Sequence, residues 1–176
     1  AAHSALSAYE AKTVQLLAGI ERQSNIIWRK KWTWSLGTEL IGTNERGVFD
    51  DPLTKETRTF FIAALPASLY YDGSNDLLDP TSGFRLGGRL SPEASIRAGG
   101  FGYARAQIDA SAYHPVADNV VAAARIRIGS IIGAKSSSIA PSRRFYAGGG
   151  GSVRGYNYQK LGPQDADGDP IGGRGP

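Results

Sequence analysis

Side chains that change character at every second residue constrain this sequence most, because only an extended strand places residues i, i+2 and i+4 on one face. Residues 32–43 read WTWSLGTELIGT, with Trp32, Trp34, Leu36, Thr38 and Leu40 on one side and Thr33, Ser35, Gly37 and Glu39 on the other. Residues 84–90 set Phe84, Leu86, Gly88 and Leu90 against Arg85, Gly87 and Arg89. Residues 103–113 set Ala104, Ala106, Ile108, Ala110 and Ala112 against Arg105, Gln107, Asp109 and Ser111. Residues 124–128 set Ala124, Ile126 and Ile128 against Arg125 and Arg127. A pattern of period two, repeated along the chain, predicts an all-β protein.

Two further segments fit less cleanly. Residues 59–71, TFFIAALPASLYY, are almost continuously apolar, and Pro66 removes one ladder donor, implying a bulge or local break. Residues 12–23 read as a strand, although Leu16, Leu17 and Ile20 also fit one face of a helix. Turn formers separate these segments. Residues 44–58 read as a long charged loop, 72–83 as a dense turn, 91–102 as a glycine-rich loop, and 134 onward as a loop of about forty residues. The chain has 23 glycines, which suits a β-protein with tight turns and close backbone approaches. About six antiparallel strands are expected over residues 1–134, with the long loop and the start of a further strand over 135–176.

Alternation alone suits two architectures. The face carrying Arg85, Arg89, Arg105, Asp109, Arg125 and Arg127 is either the solvated outside of a soluble sandwich or the polar lumen of a large barrel. About ten residues at roughly 3.3 Å each, tilted by about 40°, span near 25 Å, which matches an outer-membrane apolar band. Trp28, Trp32, Tyr70, Tyr71 and Tyr113 lie near segment ends, as interfacial girdles do. No stretch approaches the roughly 18 apolar residues of a transmembrane helix. The mean hydropathy of -0.27 fits alternating transmembrane strands as well as a soluble chain.

The composition argues against several kinds of chemistry. There is no cysteine, so neither a disulfide framework nor a thiolate metal site is possible. His3 and His114 stand apart, and no metal site or cofactor is expected. Asp165, Asp167 and Asp169 alternate, but no glutamate follows at calcium-loop spacing, so a solvated acidic turn is expected. There is no G-x-S-x-G elbow, and no catalytic residue is assigned. The net charge of +4 shows no clustered patch, so nucleic acid is not an expected partner. The opening AAHSALSAYE lacks the features of a signal peptide, and the chain closes on the turn-like GDPIGGRGP. A piece of a longer protein is expected.

The segment 144–158, RFYAGGGGSVRGYNY, carries the functional reading. Gly148, Gly149, Gly150 and Gly151 let the backbone pass through a narrow space, and Val153, Arg154, Gly155 and Tyr156 then present one guanidinium. A flexible glycine loop or an anion-binding nest would share these glycines. A nucleotide loop would instead need a Lys-Ser/Thr pair and a helix.

The segment resembles the VRGF/VRGY signature of the Omp85 superfamily of outer-membrane barrels. The turn DGSNDLLDPTSGFR at 72–85, the strand RIRIG at 125–129 and the run GDPIGG at 168–173 extend the resemblance over roughly residues 58–174. Within the superfamily, the turn and loop look most like TamA, the barrel subunit of the translocation and assembly module, with BamA-type factors next.

The resemblance implies a Gram-negative outer-membrane location and a barrel of about sixteen strands. The segments here would be its sixth to eleventh strands and its sixth extracellular loop, folded into the lumen. It also implies assembly of outer-membrane proteins such as autotransporters, through a weak seam that opens and templates incoming strands. The implied partners are outer-membrane lipid, unfolded outer-membrane proteins and, for a TamA type, a TamB-like periplasmic protein. A BamA-type general assembly factor, a polypeptide transporter and the barrel of a patatin-like lipase fusion are the alternatives. The acidic lumen residues that meet the loop arginine in this family would lie on strands after this chain ends.

An arginine inside a barrel must be paired or solvated, so Arg154 reads as a structural latch rather than a catalyst. Arg154→Ala is expected to leave the barrel inserted while lowering the yield of folded client in outer-membrane fractions. Undiminished client assembly would refute the latch.

Overall fold

A computed structural model of the chain describes residues 2–5, 9–25, 27–51, 53–96, 100–150, 152–153 and 155–175. Its strands are β1 (Ala2–Ala5), β2 (Glu10–Arg22), β3 (Trp32–Val48), β4 (Lys55–Ala64), β5 (Ala67–Asp72), β6 (Gly83–Ser95), β7 (Phe101–Ala117) and β8 (Val120–Ile132). All belong to one antiparallel sheet in the order β1-β2-β3-β4-β6-β7-β8, with β5 pairing β3 and β6 beyond the end of β4. Two 3₁₀ turns, Ser136–Ser138 and Pro141–Arg143, follow β8. There is no α-helix among the described residues, and hence none long and apolar enough to cross a membrane.

β4 and β5 are two halves of one strand lying between β3 and β6. Glu39 faces Ala64 and Leu36 faces Ala67, so the register with β3 runs unbroken past Pro66. On the other side Ala64 faces Glu93 and Ala67 faces Leu90, again without a shift. The Gly37 amide donates to the Pro66 carbonyl at 2.9 Å, but proline returns no bond. The Leu65 amide likewise donates to the Pro92 carbonyl at 3.0 Å, and Pro92 returns none. Pro66 therefore produces a local break and no bulge. The register shift in this sheet lies instead between Pro115 and Ala117.

The sheet holds seven strand positions where about six were expected, because β1 pairs with β2 through Ala2–Thr13 and Ala5–Glu10. The ambiguous segment 12–23 is strand, held to β3 from Glu10–Arg46 to Arg22–Trp34. Two expected loops are shorter than the sequence suggested. β3 and β4 pair up to Val48–Lys55, leaving residues 49–54 as the connection. β6 and β7 pair up to Ser95–Phe101, leaving residues 96–100. Charged or small residues read as loop there because the strands outrun the apolar band.

That band is plain on one face. Leu16, Leu36, Phe61, Phe84, Ile108 and Ile126, one from each of six successive strand positions, are each more than half exposed. Water would penalise so broad an apolar face, and a lipid environment removes the penalty. At its turn end a row of aromatic rings crosses three strands, Trp32 to Tyr71 at 4.9 Å and Tyr71 to Phe84 at 5.4 Å. Tyr70 and Tyr113 do not join this girdle. The pairing of Thr33 with Tyr70 and of Gly83 with Tyr113 puts both on the polar face, where Arg89 and Arg85 stack on their rings.

The turn 73–82 is closed by Asn75, whose Oδ1 accepts the amides of Thr81 at 2.9 Å and Ser82 at 3.0 Å. Arg29 reaches across from the preceding connection to Asp72 at 3.1 Å and to the Asn75 carbonyl at 2.8 Å. The two neighbouring turns are thereby stapled together.

An arginine in the middle of the apolar stretch should be far costlier than one on the opposite face. Leu36→Arg is expected to lose about 2–4 kcal/mol of folding stability in vesicles, against about 1 kcal/mol or less for Ser35→Arg. Denaturant titration of the membrane-folded protein measures both.

Candidate functional site

The polar face is covered at its loop end. After β8 the chain turns back over the sheet and packs two small apolar clusters against it. One joins Ala140 to Ile41, Phe49, Phe60 and Ile62. The other joins Ile139 to Tyr103 and Ile131, with Phe145 alongside. This explains why residues 59–64 lack alternation: Phe61 faces outward, whereas Phe60 and Ile62 are buried beneath the loop.

Between these clusters lies a charged latch. Arg143 donates through Nε to Glu93 Oε2 at 3.0 Å and through Nη2 to Glu93 Oε1 at 2.6 Å, a two-pronged pair. The same Nη2 reaches Glu39 Oε2 at 3.2 Å. The Glu93 side chain is fully buried, while those of Arg143 and Glu39 are nearly so. Burial opposes the charge on Arg143, but the hydrogen bonds and attraction of Glu93 outweigh it and hold the guanidinium more firmly protonated than usual. Glu39 also receives Gln15 from β2. Beside this pair, Glu45 accepts the Ser142 amide at 2.9 Å and the Ser142 hydroxyl at 2.5 Å. The Thr43 hydroxyl completes that carboxylate at 3.1 Å and meets Thr13 of β2 at 2.8 Å.

Arg144 works differently. It is buried and meets backbone carbonyls: Ile139 at 3.1 Å, Val48 at 3.0 Å and Ile171 at 3.0 Å. It thus ties the end of β3, the start of the loop and its return into one knot. Its guanidinium and that of Arg58 both lie over the ring of Phe49. The ring of Phe145 lies over β8 at Gly129, where a Cβ would come within 2.8 Å of it.

The glycine segment forms the outer part of the loop. Gly148 has a φ of +112°, which a residue with a side chain rarely adopts. Ser152 accepts the Gly148 amide at 2.9 Å and donates to its carbonyl at 3.0 Å, while the Gly149 amide reaches Tyr156 O at 3.0 Å. Gly148 is buried, Gly149 half-buried and Gly150 exposed; Val153, Gly155 and Tyr156 are exposed. Gly151 and Arg154 lie outside the described residues. The loop returns through Phe145 and Gly173, which exchange two hydrogen bonds of 2.9 Å, and Arg174 O accepts the Ile131 amide at the edge of β8.

The strand residues singled out from the sequence fall into two groups. Arg105 sits near the latch, 3.5 Å from Glu93 and stacked on Phe145. Arg85, Arg89, Asp109, Arg125 and Arg127 lie toward the turn end of the same face. Asp109 pairs with both Arg125 and Arg127, and Arg85 pairs with Asp72.

The profile of the Omp85 superfamily domain matches residues 2–175. The chain belongs to the Omp85 superfamily. Members of this superfamily are proteins of the Gram-negative outer membrane, so the exposed apolar face is the lipid-facing surface of a barrel segment. Among curated proteins, the chain is similar to an outer membrane protein assembly factor BamA from Nitratidesulfovibrio vulgaris, 39% identical over 67 residues. That alignment covers 38% of this chain and 8% of the relative, so the chain spans a small part of the relative's length.

Sequence reasoning placed Glu39 on the polar side of its strand but missed Glu45, Glu93, Ser142, Arg143 and Arg144. The shared parity of Glu39 and Glu45 on β3, and of Glu93 with Arg85 and Arg89 on β6, was the available signal. Removing one partner of a buried pair strands the other charge. Arg143→Met is therefore expected to destabilise the docked loop by about 3–5 kcal/mol. Trypsin cleavage at Lys160 or Arg174 should accelerate accordingly. The double variant Arg143→Met/Glu93→Gln should recover part of that loss.

Proposed function

We propose that the chain is the central part of the barrel of an outer-membrane protein assembly factor. Superfamily membership over residues 2–175 carries this reading, and the similarity to a BamA assembly factor supports it. The work is mechanical and involves no catalytic group. The polar face lines the lumen, residues 135–176 form a lumenal loop, and Gly148, Gly149, Gly150, Gly151, Val153, Arg154, Gly155 and Tyr156 make its working segment. In this mechanism a weakly paired seam elsewhere in the barrel opens and its free edge pairs with an incoming strand. The latch of Arg143 with Glu93 and Glu39 keeps the loop root seated while the seam moves.

Two finer readings remain, each with its own support. The BamA relative favours a general assembly factor whose clients are unfolded outer-membrane proteins. The turn DLLDPTSGFR and the loop RFYAGGGGSVRGYNYQKLGP favour a TamA type, serving autotransporters with a TamB-like partner.

Depletion of the full-length protein in its host tests the proposal. Loss of folded barrels of every kind is expected for a general factor, and selective loss of autotransporters for a TamA type. Normal levels of both would overturn the reading.

A further inference from the structure

The seated loop leaves the charges of the polar face unevenly shared. Glu39, Glu45 and Glu93 are occupied by Ser142 and Arg143. Toward the turn end of β5 to β8, the same face carries four arginines, Arg85, Arg89, Arg125 and Arg127, against two aspartates, Asp72 and Asp109. Asp109 is divided between Arg125 and Arg127, and Asp72 between Arg85 and Arg29. Arg89 meets the hydroxyl and ring of Tyr70 and, among the described residues, no carboxylate.

These side chains line open space. A cavity of about 450 Å³ under the loop is bordered by Arg89, Arg105 and Ser91. A second, of about 360 Å³, is bordered by Arg85, Arg89, Arg125 and Arg127. Tyr70 and Arg89 border both, so the two are adjacent stretches of one arginine-lined track along the sheet. At its loop end, Ser91 Oγ and Arg105 Nε are buried donors with no hydrogen-bond partner among the described residues. Buried donors of this kind are rare unless something accepts from them.

We propose that this track binds oxyanions of the carboxylate type, offered by acidic side chains of an extended polypeptide or by a small free anion. Guanidinium groups present paired donors that match a planar carboxylate, and a serine hydroxyl adds a third. Aspartates shared between two arginines leave donor capacity unused. The inference does not depend on assembly activity, because binding is measured directly.

The test uses the full-length protein in detergent micelles with a fluorescent peptide of eight aspartates, beside a peptide of eight serines. Anisotropy should report binding of the acidic peptide alone, weakening as salt rises. Arg89→Gln/Arg125→Gln should weaken it about tenfold, whereas Arg89→Lys/Arg125→Lys should retain most of it. Both variants should keep the heat-modifiable gel mobility of a folded barrel. A parallel arm measures the rise in melting temperature with acetate against chloride at equal ionic strength. Peptide binding lost in the glutamine variant identifies a polypeptide source. Acetate stabilisation lost in that variant, without peptide binding, identifies a free anion. Neither effect in the wild type, or effects unchanged in the glutamine variant, would overturn the proposal.

Discussion

Everything in this structure depends on a sheet that must satisfy two different solvents. Side chains alternate across the sheet, so one sequence dictates both faces at once. The outward face meets hydrocarbon, where an unpaired backbone group would cost several kcal/mol, roughly, per group. Long continuous ladders answer that demand. The inward face has no such rule and divides its length between a dry part under the loop and an open polar part. The loop is thus more than a connection, since it supplies the apolar contacts that make Phe60, Ile62 and Ile131 inward-facing residues.

The latch shows how a buried charge is tolerated at that boundary. Glu93 is fully covered, and a buried carboxylate is expensive unless it is fully paired. Arg143 supplies two bonds with planar geometry, and Glu39 takes the spare capacity of the same nitrogen. Glu45 is satisfied by a different chemistry, a backbone amide and hydroxyls, so it does not compete with Glu93 and Glu39 for Arg143. Arg144, next in sequence, points elsewhere and reads carbonyls. One dipeptide therefore fixes the loop root both to the strands and to itself.

The alternating segments were legible because period two is a local property. The ends of the strands were not. Asn44, Glu45 and Arg46 read as loop, yet Glu45 is buried under the 3₁₀ turn while Asn44 and Arg46 stay exposed beyond the apolar band. The two-sided apolar character of residues 59–64 was visible, but its cause lay about eighty residues away in Ile139 and Ala140. The latch was hidden for the same reason. Arg143 is 50 residues from Glu93 and 104 from Glu39, and no local spacing relates them. Attention to the VRGY motif found the family but not the residues that seat the loop root.

The unbroken register past Pro66 has a consequence for the geometry of closure. In a closed barrel, the accumulated stagger between strands sets their tilt and the barrel's girth. An extra residue at residues 65–66 would add to that stagger and turn the side chains of β5 to the wrong side of the wall. Omitting one hydrogen bond at Pro66 and one at Pro92 leaves the count intact. The shift between Pro115 and Ala117 falls at the extremity of β7, outside the apolar band. The prolines thus loosen the wall locally without altering the shear of the cylinder to which these strands contribute.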